Sequence, residues 1–516
     1  MDISTLCLTF IFLLLILKLI IKSIITPSSR TKPSALRLSP GPWQLPLIGS
    51  LHHLLLSPFR DLPHQALREL SKAHGPLMLL RFGSVPTLVA SSSAAAREVM
   101  KTHDAAFCSR HLSATLGIIS RGGRGVLFSP YGDRWRDLRK VCVLELFNPR
   151  RVLSFRHVRE EEAARLLRSV VVSGDGGGGG GGGGGGYVVD LGEAICRMVN
   201  DVVVRTAIGG RCGRRDEFLR ELDEAVRLTG GFNLADLYPT SPLVRRLSKA
   251  ARDMERCQKK VYDIIESIIH ERAVTRMPEE EEDDLLSVLL RLQREGGLQF
   301  DLTNEIISTV IFDIFAAGSE TSSTTLVWAM SELVKNPRVL HKAQSEVRET
   351  FKGQQKLTED DMAKLSYLHL VIKEALRLHA PVPFLLPREC RQTCHVMGYD
   401  VPKGTKVLVN VWAIARDNEF WGDGEVFRPE RFDGSSVDFR GNDFEFTPFG
   451  AGRRICPGIT HGLANMELVL ASLLYHFDWE LPGDDDLDMT EAFGITLRRK
   501  SKLMLKAKPC INFVSK

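Results

Sequence analysis

The succession of apolar and polar positions predicts a mainly α protein with two small β regions. An apolar face at helical spacing runs over residues 66–74 and stops at His74-Gly75-Pro76, where glycine and proline end a helix. Two leucine- and valine-bearing stretches, 77–82 and 87–91, then read as strands joined by Gly83-Ser84-Val85-Pro86. Helical spacing returns over 92–102 and dominates from Tyr131 onward. It is clearest at 160–172, 284–294, 303–334, 337–351, 359–364 and 367–378. After Pro381 short strand patterns appear at 394–399, 406–410 and 497–506, with one late helix over 462–476.

Three stretches break this pattern. Residues 176–186 are all glycine and cannot pack, so they read as a disordered surface loop inside one domain. They also lack the lysine and hydroxyl finish of a phosphate-binding loop. The acidic run 278–284 reads as a solvated loop. Residues 3–25 are nearly all apolar, with Asp2 before them and Lys22, Arg30, Lys32 and Arg37 closing or following. That charge order opposes a cleaved signal peptide and predicts an N-terminal transmembrane helix with the body in the cytosol. The expected organisation is an anchor over 1–26, a proline-rich connector over 27–50 and one catalytic domain over 51–516. Ser39-Pro40-Gly41-Pro42 stiffens the connector.

Composition adds limits rather than chemistry. In 516 residues, 44% are hydrophobic and 25% charged, which supports a sizeable core. A net charge of +5 without a basic stripe argues against a nucleic-acid partner. The ten cysteines form no CxxC pair and no zinc set, and most read as reduced, buried residues.

One stretch stands apart: Phe449-Gly450-Ala451-Gly452-Arg453-Arg454-Ile455-Cys456-Pro457-Gly458. Glycines allow a tight turn whose backbone N–H groups surround a sulfur and let a flat macrocycle approach. Those donors and nearby positive charge favour a thiolate at Cys456. The helix that follows would bring its positive end toward the sulfur.

This stretch matches the FxxGxRxCxG cysteine loop of cytochromes P450 at every fixed position, and the chain resembles that family over essentially its full length. The resemblance implies a cytochrome P450 fold, haem b, and Cys456 as its axial iron ligand. It implies haem contacts from Phe449, Arg454 and Gly458, with Trp135 and Arg139 of Trp135-Arg136-Asp137-Leu138-Arg139 and with Arg388 meeting the propionates. Glu374-Ala375-Leu376-Arg377 resembles the ExxR motif and, with Arg431, implies a structural cluster on the haem side. Ala316-Ala317-Gly318-Ser319-Glu320-Thr321-Ser322 resembles the oxygen-activating segment of the central helix. There Thr321 holds the oxygen species or a water, Glu320 relays protons, and Gly318 lets the macrocycle approach.

With the anchor and connector, these features resemble a plant microsomal monooxygenase of the A-type (71-clan-like) group. Such an enzyme uses O2 and electrons from NADPH through NADPH–cytochrome P450 reductase, with cytochrome b5 a further partner. It is single-pass in the endoplasmic reticulum membrane, with its catalytic domain facing the cytosol. The chain carries no nicotinamide or flavin fingerprint of its own, consistent with an external donor. The resemblance assigns the pocket to the 109–125 loop, 232–243, the central helix, 381–386 and 493–496. Its lining is Leu116, Ile119, Phe312, Ala316, Ala317, Val382, Phe384, Leu385, Phe493 and Ile495, which suits a small apolar substrate. A sesqui- or diterpenoid leads, with an indolic or phenolic metabolite as the alternative. Isomerase and dehydratase relatives depart from this pattern at Glu320 and Thr321.

Overall fold

A computed structural model describes residues 36–175, 186–274 and 284–510. The expected anchor, the glycine run up to residue 185 and the acidic run up to residue 283 lie outside them. No helix among the described residues is long and apolar enough to cross a membrane.

The centre of the molecule is one long helix, Asn304–Lys335, opened by the Thr303 side chain accepting from Ile306 N–H. It is buried on most of its circumference because helices pack around it. One neighbour is Leu191–Ile208, capped by Asp190 and ended by Gly209 at φ 72°. Two others are Lys249–Val274 and Ile459–His476.

The β regions are small. Strands β1 (Leu77–Phe82) and β2 (Val85–Ala90) form a hairpin, and β3 (Ser109–Arg110) and β4 (Tyr187–Asp190) are single short strands. The second region holds β5 (Arg388–Glu389), β6 (Cys394–Val396), β7 (Tyr399–Val401) and β8 (Lys406–Val409). The chain closes with β9 (Phe477–Glu480), β10 (Glu491–Phe493), β11 (Leu497–Arg499) and β12 (Met504–Pro509). The main sheet runs β1-β2-β8-β5-β3, with β2 and β8 parallel and the other pairs antiparallel. The chain before β1 packs onto it: Leu79 N–H donates to Pro40 O at 2.9 Å, and a Cβ at Gly41 would lie 2.1 Å from Leu79 O.

Most predicted elements stand within a few residues of their expected ends, and four differ for identifiable reasons. The first hairpin turns at Gly83-Ser84, so Val85 and Pro86 belong to β2, Pro86 opposite Arg81. Residues 394–399 reverse at Met397 and Gly398, both with positive φ, and so make a hairpin instead of one strand. The 497–506 strand is two strands in different sheets, β11 with β10 and β12 with β4 and β9. The helix over 92–102 changes to a π-helical turn at Glu98–Thr102.

Candidate active site

An internal cavity lies between the central helix and the cysteine loop, and Cys456 is on its wall. The loop turns through Gly450 at φ 70° and Gly452 at φ 67°. Glycine is required at 452, where a Cβ would meet Met100 O at 2.2 Å. Cys456 N–H donates to Phe449 O at 3.0 Å, which closes the loop. Helix Ile459–His476 starts three residues later, so its first turn lies beside the sulfur. Burial pushes the Cys456 thiol up, and the Gly458 amide and the Arg139 charge oppose this only in part.

Four arginines line the same cavity: Arg110, Arg139, Arg388 and Arg454. Arg454 donates to Cys108 O at 2.7 Å and Ser129 O at 2.5 Å. Its guanidinium lies 4.1 Å from the Trp135 ring centroid. Trp135 donates its own N–H to Val126 O at 3.1 Å and lines the cavity beside Arg454. Arg388 pairs with Asp104 at 3.0 Å and donates to Ala451 O, and its buried Nε has no partner. Arg110 stands opposite Arg388 in the β3–β5 ladder. Sequence reasoning passed over Arg110, because that two-residue ladder leaves no trace in the hydrophobic pattern.

Burial, then mutual repulsion among them, lowers the pKa of Arg110 and Arg454, the latter to about 9. Burial likewise lowers Arg139 and Arg388. Four cations gathered around one cavity, Arg388 and Arg454 of them buried and Asp104 paired with Arg388, fit a ligand carrying carboxylates of its own. The two propionates of haem b meet that requirement, and the orphaned Arg388 Nε is a donor left over for them.

Behind the cysteine loop, the Glu374 carboxylate collects four donors. Arg377 Nε and Nη2 lie at 2.8 and 2.9 Å, Arg431 Nε at 2.9 Å and Arg428 N–H at 2.8 Å. Glu374 and Arg377 sit one turn apart on helix Ser366–Leu378 and are fully buried.

On the opposite wall, Thr321 donates back to Ala317 O at 2.8 Å, leaving its hydroxyl oxygen free to accept. Glu320 accepts from Thr496 at 2.6 Å and forms a bidentate ion pair with Arg498, which also reaches the exposed Asp223. Gly318 lines the cavity, but a Cβ there would point at Val203, 3.0 Å away. Its missing side chain admits helix Leu191–Ile208.

Leu116, Ile119, Phe312, Ala316, Ala317, Val382, Leu385 and Ile495 line the cavity as expected, joined by Val126, Leu127, Phe128, Leu222 and Val226. Phe384 and Phe493 do not, and neither does any residue of 232–243. They belong to a separate aromatic cluster: the Phe493 ring centroid is 5.8 Å from Phe384 and 6.0 Å from Phe232, and His64 stacks on it. Leu385 adopts φ 53°, and this left-handed turn sends residues 384 and 385 to different sides of the chain.

A cysteine on the cavity wall at a helix start, arginines for two carboxylates and an acid–hydroxyl pair facing them across a largely apolar cavity define a haem-thiolate oxygenase. The chain belongs to the cytochrome P450 family, whose model matches residues 39–507. It is 49% identical over 482 residues to a dolabradiene monooxygenase of Zea mays, covering 92% of this chain and 93% of that protein. It is 50% identical over 488 residues to an ent-cassadiene hydroxylase of Oryza sativa subsp. japonica, covering 92% of each. Its fold resembles a zebrafish cytochrome P450 solved with abiraterone, at 26% identity and a TM-score of 0.73, covering 88% of this chain and all of that one. The protein is accordingly a P450 monooxygenase that uses haem b, O2 and reductase-supplied electrons.

Proposed function

We propose that the Cys456 sulfur would hold the haem iron and that the enzyme oxidises a small apolar terpenoid hydrocarbon. The observation that carries this reading is the cavity itself: Cys456 on its wall, four arginines lining it, two of them buried, and a largely apolar lining elsewhere. Bound there, the haem supplies reductive O2 activation and insertion of one oxygen atom into a C–H bond or across a C=C bond.

The chain supplies the rest. Arg110, Arg139, Arg388 and Arg454 would hold and neutralise the haem propionates, with Phe449 and Gly458 lining the same cavity. Leu116, Ile119, Phe312 and Leu385 exclude water and hold the substrate by shape. The Thr321 hydroxyl would hold a water at its free lone pairs. Glu320 moves a proton toward it, and Arg498 and Asp223 connect that carboxylate to solvent. Two relatives whose names carry dienes, and the scarcity of polar groups in the lining, support a terpene hydrocarbon of sesqui- or diterpene size. Residues 1–26 anchor the enzyme in the endoplasmic reticulum membrane as a single pass, with the catalytic domain facing the cytosol. NADPH–cytochrome P450 reductase is the electron donor and cytochrome b5 an auxiliary one.

The deciding experiment incubates the enzyme with reductase, NADPH and a panel of terpenes, indoles and phenols, with mass spectrometry as the readout. A terpene product heavier by one oxygen is expected, with NADPH consumed in step. A reduced carbon monoxide complex with an imidazole-like spectrum would refute the thiolate assignment. Turnover of an indole or phenol alone would refute the substrate class.

A further inference from the structure

Asp104 is not on the cavity wall, yet it ties the cysteine loop to one of the cavity's arginines from behind. It opens the short helix Asp104–Phe107, which follows the π-helical turn Glu98–Thr102. Phe107 is fully buried and fixes that helix in the core. The Asp104 carboxylate is buried too, and it collects three donors. Its Oδ1 accepts from Arg388 Nη1 at 3.0 Å, and its Oδ2 accepts from the Arg453 N–H at 2.9 Å and from Arg453 Nη1 at 3.0 Å. Gly452 makes the approach possible, since a Cβ there would lie 2.8 Å from the Asp104 carboxyl carbon.

This carboxylate has a place of its own in the charge balance of the site. Arg110 and Arg454 donate to backbone carbonyls. Among the described residues, Asp104 is the one carboxylate in ion-pair contact with any of the four cavity arginines. Its charge counters the effect of burial on Arg388, and it is felt at Arg454 as well. The Arg453 side chain is 47% exposed, so the row Arg453–Asp104–Arg388 runs from the surface to the cavity.

We propose that Asp104 is a positioning residue that sets how readily the haem accepts an electron: it steadies Arg388 for the propionates and supplies the negative charge that offsets the arginines around them. The proposal rests on the haem-thiolate reading above. Reduction adds one negative charge to the haem, so an uncompensated cation nearby favours the reduced form and an anion the oxidised form. Asp104 therefore holds the potential of the site down.

The sign of each charge change can be worked out. Asp104→Asn keeps the shape and an acceptor but removes the charge, which leaves Arg388 and Arg453 without their counter-ion, so the potential rises. Arg453→Gln removes a cation from the same row, so the potential falls. That fall is the smaller shift, because solvent and salt screen a half-exposed charge more than a buried one. In the double variant both charges vanish together, and the potential moves back toward the wild-type value. A residue that only held the fold would produce neither opposite signs nor this compensation.

The test is a redox titration of the holoenzyme and of the three variants without substrate, read by haem absorbance. The carbon monoxide spectrum of each is recorded beside it. A raised potential in Asp104→Asn, a lowered one in Arg453→Gln and a return in the double variant are expected. An unmoved or lowered potential in Asp104→Asn would overturn the proposal, as would shifts of the same sign in the two single variants. If Asp104→Asn does not retain haem, Arg453→Gln decides alone, and an unchanged or raised potential there counts against the proposal. A wild-type carbon monoxide spectrum without the thiolate band would remove the haem-thiolate reading and this inference with it. An intact band with unmoved potentials would remove this inference only.

Discussion

Replacing Glu374 with alanine should separate this protein from its haem. The carboxylate is wholly buried and faces two guanidiniums, Arg377 wholly buried and Arg431 nearly so. Removing it leaves both cations without a counter-charge, an event that costs about 3–5 kcal/mol. Backbone acceptors soften the loss here. Arg377 keeps Gly424 O at 2.8 Å and Arg431 keeps Trp421 O at 2.7 Å, so about 3 kcal/mol is the better figure. That is a little over a hundredfold in equilibrium, a large part of the roughly 5–15 kcal/mol that holds a typical domain together. Arg428 loses the acceptor for its N–H in the same step, which frees the segment leading to the cysteine loop. The assay is haem absorbance per protein after purification, with the carbon monoxide spectrum reporting the thiolate bond and urea titration reporting stability. Glu374→Gln, which keeps an acceptor but no charge, should fall between wild type and alanine. If Glu374→Ala held haem normally and unfolded within 1 kcal/mol of wild type, the reading of this cluster as the lock behind the haem would be wrong.

Three further outcomes are expected. Because a Cβ at Gly318 would crowd Val203, Gly318→Ala should be more stable, by about 1 kcal/mol, in a Val203→Ala background than in the wild type, as read by a double-mutant cycle of thermal melts. Leu385→Ala should change the ratio of oxidised products, whereas Phe493→Ala should lower the melting temperature and leave that ratio alone, as read by chromatography. Burial holds His461 down to about 3, far below the usual imidazole range. Between pH 6.5 and 3 the unfolded chain therefore binds a proton there that the folded chain does not, and stability falls as pH falls. His461→Gln should flatten that slope by about 1.4 kcal/mol per pH unit in urea titrations at stepped pH.

Periodicity located helices best where one face alone is buried. Segment 284–294 was legible to within a residue because Leu285, Leu286, Val288 and Leu289 repeat at helical spacing, and the helix observed is Leu285–Glu295. Strand patterns failed where direction changes without a change in composition. Leu497 to Lys506 looks uniform in its mix of apolar and basic residues, yet Leu497–Arg499 and Met504–Pro509 pair in different sheets. The motif residues were legible because spacing along a helix puts Glu374 and Arg377 on one face whatever surrounds them. Which side a loop residue faces was not legible: one left-handed φ at Leu385 decides that it meets the cavity while Phe384 does not. Arg110 and the Gly318–Val203 contact depend on partners remote in sequence, and no local pattern encodes them.

The parallel pairing of β2 with β8 joins Thr87 to Lys406, more than 300 residues apart. During synthesis β2 therefore waits for its partner. At about 5–20 residues per second, roughly 15–60 s pass before β8 is made. Until then one edge of the first hairpin has no mate, and Cys456 has not yet been made. The haem site can form only near the end of translation, so a truncated chain ending before residue 406 should present an open strand edge to chaperones rather than a partial enzyme.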